Sequence, residues 1–188
     1  MSEVFVQEES GLNLERANLL LAGIGNGSGI YHAVSAALKR AAESAKSKAG
    51  QYASAEYNIT QGGFKSHVKD KMIIEGGGGG VASVKLIFAG SVIPLIEFNA
   101  RFSKTGGVAV SVKRGGGGVL AHAFVANIGK IGVYERLTTR RFPVEQKYGP
   151  STAHMMENET VESKMEQQVV TVFNERIEHE ITRVLNGW

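Results

Sequence analysis

The 188-residue sequence contains no cysteine. That absence excludes disulfides, thiolate metal sites and cysteine nucleophiles together, and it accords with a reducing compartment. Also missing is any run near the roughly 18 apolar residues that a membrane-spanning helix needs. The N-terminus, MSEVFVQEES, is acidic and lacks the apolar stretch of a secretory signal or an anchor. A soluble protein with no membrane partner is expected. No block of like charge occurs either: the formal charge is +3, and basic residues stand apart as Lys39-Arg40, Lys46 and Lys48, Lys113-Arg114 and Arg140-Arg141. Counterion-release binding to nucleic acid usually needs a concentrated stripe, so solvated surface charge is the expected role. What the sequence does have is 43% apolar content, enough for one real core without staples. Residues 1–11 read as an N-terminal arm and 12–188 as a single α+β domain.

Hydrophobic periodicity orders that domain. Leu12, Leu19, Leu20 and Ile24 predict a short helix stopped by glycines. A longer helix follows on Ile30, Val34, Ala37, Leu38, Ala41 and Ala45, rich in alanine and therefore strongly helical but with a thin apolar stripe suited to close packing. After YNITQGGF the period becomes alternating. KDKMIIE, VASVKLIF (Val84, Leu86, Phe88), GVAVSVKR (Val108, Val110, Val112), VLAHAFVANI (Leu120, His122, Phe124, Ala126) and KIGVYERL predict an antiparallel meander of about four to five strands. The tail carries Val161, Met165, Val169, Val172, Phe173, Ile177, Ile181, Val184 and Leu185 as one stripe of a long C-terminal helix, with Ser151 or Thr152 as its N-cap and its carboxylates on solvated faces.

Three motifs invite a chemical reading and each fails on spacing. Five glycines at 76–80 and four at 115–118 sit between strands, whereas a phosphate cradle sits between a strand and a helix, and no Gly-Lys-Ser or Gly-Lys-Thr occurs. Both runs read as glycine-rich hairpin loops. Glycines 23, 25, 27 and 29 miss the G-x-G-x-x-G pattern because Ser28 and Ile30 stand where its third glycine belongs. Histidines 32, 67, 122, 154 and 179 are scattered singly, without zinc-ligand spacing, and no G-x-S-x-G elbow appears. No catalytic residue, metal ligand or cofactor is expected, and the chain is not expected to be an enzyme.

Two stretches go beyond generic patterning: GSVIPLIEFNARF (90–102) and RRFPVEQKYGPSTAHMMEN (140–158). Taken in order with RAAESAKSKAGQYASAEYNI, GVAVSVKRG and HAFVANIGKIGVYERL, they resemble the minor tail protein Z family of long-tailed bacteriophages, also called tail completion or neck proteins, over roughly residues 30–180. The residues that carry the likeness are Pro94, Phe98, Arg101, Lys113, Arg114, Phe124, Pro143, Tyr148, Gly149, Pro150 and Ser151. The two glycine runs are longer than the family pattern. The resemblance implies a structural virion protein at the head-proximal end of the tail, made in the host cytoplasm. It implies a homo-oligomeric ring of six subunits that meets tail terminator, tail tube or head connector proteins, with phage DNA passing through the lumen. Within that reading, Tyr148 to Ser151 form either a docking elbow or an internal turn and helix cap, and Pro94 either marks a sheet edge or belongs to the interface. Phe98 is expected in the core. Arg101, Lys113, Arg114, Arg136 and Arg140 either face the DNA channel or pair across subunits. The alternatives are a non-catalytic DNA-binding module using those basic residues and a small nucleotide-dependent enzyme.

Overall fold

Alanines at four-residue spacing carry the chain into its longest helix, α1 (Gly27–Glu56), in the computed structural model, which describes residues 2–6, 27–76, 82–104 and 106–186. Ala33, Ala37, Ala41, Ala45, Ala49 and Ala53 are all buried, with Val34 and Leu38 beside them. The methyl stripe costs no side-chain entropy and lets neighbours approach closely. The short helix expected at 12–25 lies outside the described residues.

The architecture is α+β, with antiparallel strand pairs and a long C-terminal helix. By contacts the chain divides into two compact units: one comprises residues 3–49, 70–87 and 162–188, the other residues 1–2, 50–69 and 88–161. The first, helical unit holds most of α1, most of β1 (Ser2–Val6), β2 (Val68–Gly76) and β3 (Ala82–Gly90), hydrogen-bonded in the order β1–β3–β2, and most of the last helix. Val84, Leu86 and Phe88 on β3 are buried in alternation. Residues 77–80 of the first glycine run, and Val81 after it, lie outside the described residues, but β2 and β3 flank it as expected of a hairpin. Residues 2–6 of the expected arm are a strand.

The second, sheet-rich unit carries the remaining strands. β4 (Val92–Pro94) pairs with β11 (Tyr148–Ser151), β5 (Arg101–Phe102), β6 (Val108–Val110) and β7 (Gly118–Leu120) form one sheet, and β8 (Ala123–Ile128), β9 (Lys130–Arg136) and β10 (Val144–Gln146) form another. All pairs in this unit are antiparallel. The second glycine run closes the β6–β7 hairpin, where Val110 faces Gly118. A single meander is thus replaced by several small sheets. The segment read as one strand through Leu120, His122 and Phe124 breaks at Ala121–His122, because β7 pairs with β6 while β8 pairs with β9.

Two helix boundaries also differ from expectation. TQGGF folds as a short helix, α2 (Gln61–His67): the Thr60 hydroxyl accepts from Gly63 N at 3.0 Å and Phe64 is buried. At the C-terminus Ser151 caps α3 (Thr152–Met156), the chain turns at Glu157–Asn158, and α4 (Glu159–Leu185) begins afresh with Asn158 Oδ1 accepting from Thr160 N at 3.1 Å. Val161, Met165, Val169, Phe173, Ile177 and Ile181 form its buried stripe. Glu180 corrects the reading of solvated carboxylates: its side chain is fully buried, beside Arg40 at 3.5 Å and Arg183 at 3.1 Å. Among the described residues no helix is long and apolar enough to cross a membrane.

Candidate functional site

The two most specific sequence stretches meet in the sheet-rich unit. Tyr148 pairs with Pro94 and Ser151 with Val92, with an irregularity between them. Pro94, which has no N–H to give a ladder, leads into a single 3-10 turn at Leu95–Glu97, and Leu95 N instead donates to Lys147 O at 3.0 Å. Phe98 N closes the turn onto Leu95 O at 3.1 Å, and the Phe98 ring is fully buried. Gly149 lies against that ring: a Cβ there would stand 2.5 Å from Phe98 Cε2. Ser151 Oγ accepts from His154 N at 3.2 Å, while Tyr148 is half exposed and its hydroxyl donates to Gln146 Oε1 at 3.0 Å. Phe98, Gly149 and Ser151 therefore hold this unit together, and Tyr148 is the member of the group whose ring reaches solvent.

Basic residues fall into two kinds. Arg114 fastens the β6–β7 loop to the end of α1, since its Nε donates to Ser54 O at 2.8 Å and its backbone N to Glu56 O at 2.8 Å. These carbonyls sit in the last turn of α1, where a cation is favoured. Lys113 lies with its Nζ 5.9 Å from the centre of the Tyr57 ring, and Asn58 Nδ2 donates to Ser111 O, Ser111 Oγ and Lys113 O of the same loop. Arg101 Nε donates to Asn99 Oδ1 at 3.0 Å on an exposed strand.

Arg136 and Arg140 belong to a different neighbourhood, the last residue of β9 and the loop that follows it to β10. Arg136 pairs with Val144 across the strands, and its guanidinium carbon lies 4.8 Å from the Phe124 ring centre. Phe124 in turn contacts Tyr134, with ring centres 6.3 Å apart. Pro143, after a cis peptide bond, accepts through its carbonyl from Leu137 N at 3.2 Å and closes the loop. Between this loop and the Ala121–His122 turn lies an open cleft of about 700 Å³, lined by His122, Phe124, Arg136, Thr138 and Thr139 among others. Beside it Lys147 Nζ takes both Glu135 at 2.8 Å and Glu145 at 2.9 Å. Hydrogen bonding to Lys147 holds the Glu135 carboxyl below its usual range, and the two carboxylates push Lys147 up.

Sequence reasoning missed the exposed apolar residues of this unit. Phe102 is 76% exposed, Val119 51% and Leu120 40%, all on the β5–β6–β7 sheet, and Ile131 is 63% exposed near the tip of the β8–β9 hairpin. Phe102 and Leu120 stand in one cross-strand row on either side of Val108, which is fully buried. Alternation puts Leu120 on one strand face with Phe124, and the break at Ala121–His122 separates the two into different sheets. Among the described residues no group of three or more histidines and carboxylates is placed to hold a metal ion. Comparison with family models, with curated proteins and with solved structures finds no match to this chain.

Proposed function

We propose that the chain is a non-catalytic structural subunit of a bacteriophage neck or tail, of the minor tail protein Z type. In this reading it assembles as a ring, six subunits in number, at the head-proximal end of the tail tube and joins the tube to the head connector. The observation that carries the proposal beyond the sequence resemblance is the exposure of Phe102 on β5 and Leu120 on β7, the two edge strands of a small sheet, on either side of the buried Val108 of β6. One apolar side chain on a surface is ordinary, but an exposed one on each edge strand of the same small sheet favours a protein neighbour there. A closed ring needs two different surfaces that dock head to tail, and the β8–β9 hairpin, with Ile131 largely exposed near its tip, supplies a second apolar position on the same unit.

Light scattering of the purified protein, followed by negative-stain images alone and with tail tubes, tests the reading. Rings, or caps at one end of tubes, are the expected result. A monomer that neither assembles nor caps tubes overturns it.

A further inference from the structure

We propose that the loop joining β9 to β10 binds the phosphate backbone of a nucleic acid, with the guanidinium groups of Arg136, Arg140 and Arg141 as its phosphate contacts. The inference rests on the neck reading only for naming the polymer as DNA; the chemistry of the loop stands by itself. Arg136 to Val144 contains three arginines and no acid. The two carboxylates that flank it, Glu135 and Glu145, are both drawn to Lys147. Among the described residues none of the three arginines has an ion-pair partner.

Two of the three guanidinium groups lie near aromatic rings. Arg136 sits over Phe124, and Arg141 stands 5.6 Å from the centre of the Phe142 ring, itself 57% exposed. Packing on a ring face leaves the N–H edge of an arginine directed outward, the geometry that matches phosphate oxygens. The loop is also fixed at its base by Leu137 N to Pro143 O, and Arg140 N donates to Thr138 Oγ1 at 3.2 Å, so the arginines sit on a closed hairpin rather than a loose strand. The neighbouring cleft, with the Thr138 and Thr139 side chains and His122 on its walls, has room for a backbone phosphate beside Arg136.

Fluorescence anisotropy with a labelled duplex of about 30 base pairs, over a salt series from roughly 20 to 200 mM, tests the proposal, because each phosphate contact adds about 0.9 to the slope of log K against log salt. The double variant Arg140→Gln/Arg141→Gln is expected to lose about 2 from that slope and to bind more than tenfold more weakly at the low-salt end. Lys39→Gln/Lys65→Gln removes the same charge from exposed positions elsewhere and is expected to keep the wild-type slope. Equal behaviour of the two double variants, or no binding by the wild type at the lowest salt, overturns the proposal. Light scattering on the same samples separates the two readings. Loop-dependent binding by a protein that forms no ring defeats the neck reading alone, and a ring whose DNA binding ignores the loop defeats this inference alone.

Discussion

Gly149 leaves no room for a side chain between its backbone and the Phe98 ring. A methyl group on residue 149 would stand 2.5 Å from Phe98 Cε2 and 2.9 Å from Cδ2, and the fully buried ring has no free volume to move into. Overpacking of this kind costs about 1–3 kcal/mol, so Gly149→Ala is expected to lower the thermal midpoint by several degrees, whereas Gly118→Ala, with open space around its Cβ, is not. Tyr57 makes a second prediction at this scale. Burial pushes its phenol above the usual value of 10.0, the hydrogen bond to Asn158 offsets part of that, and Glu56 adds to the rise. Its folded pKa is therefore the higher one, so the stability it contributes is fully present below about pH 10 and falls as pH rises toward the folded value, because the unfolded chain loses the proton first. Urea midpoints for the wild type and Tyr57→Phe at about pH 8 and pH 10.5 check this: the variant should lose less stability on going alkaline. Parallel losses in the two proteins would contradict the assignment.

Among the elements, the helix pair of the helical unit shows how pairing and packing divide the work. Arg40 meets Glu180 while Ser44 and Lys48 both meet Gln168, so α1 and α4 run antiparallel within that unit. Glu180 is fully buried, but both arginines beside it keep nearly half their side-chain surface in water. The two ends of the pair are thus unequal. Arg40→Met leaves a buried carboxylate with Arg183 alone and is expected to cost on the order of 1–3 kcal/mol, below the figure for an unpartnered buried charge. Glu180→Leu frees two guanidinium groups that water already reaches and extends the apolar stripe of Ile177 and Ile181, so it should be neutral or stabilising. Chemical denaturation of both variants decides; a larger loss for Glu180→Leu would reverse the argument.

Periodicity made these two helices legible, since methyl and branched side chains recurring every three or four residues leave little choice of buried face. It read strands less well. β6, β7, β10 and β4 have three residues each, too short for alternation to separate one sheet from the next, and the turn at Ala121–His122 carries neither glycine nor proline to announce it. The α2 helix was hidden by Gly62 and Gly63, although Thr60 is an ordinary capping residue; its stability comes from Phe64 in the core rather than from propensity. For the candidate site, Pro94 and Phe98 and the Tyr148–Ser151 stretch are singled out by the sequence as separate motifs, and their pairing through β4 and β11 is visible only in the fold. Charge grouped Arg114 with Arg136 and Arg140, because nothing in the residues themselves tells an arginine that holds helix carbonyls from one that faces solvent.

For the whole molecule, the ring reading demands more than self-association. A pair related by a two-fold axis uses the same surface twice and stops at two subunits, whereas a ring uses two different surfaces on every subunit. If the Phe102 row is one surface and the Ile131 hairpin tip the other, Phe102→Asp and Ile131→Asp each block one side and leave the other intact. Both positions are largely exposed, so neither change disturbs the core. Each variant alone is expected to stay at the chain mass of 20.1 kDa. Mixed in equal amounts, they can make one contact, between the intact hairpin tip of the first and the intact sheet of the second, and the two surfaces left over are both blocked. The mixture should therefore stop at twice the chain mass, and mass photometry or light scattering reads this directly. Rings formed by either variant alone would remove that surface from the interface, and a mixture that stays monomeric would show that these two surfaces do not dock on each other.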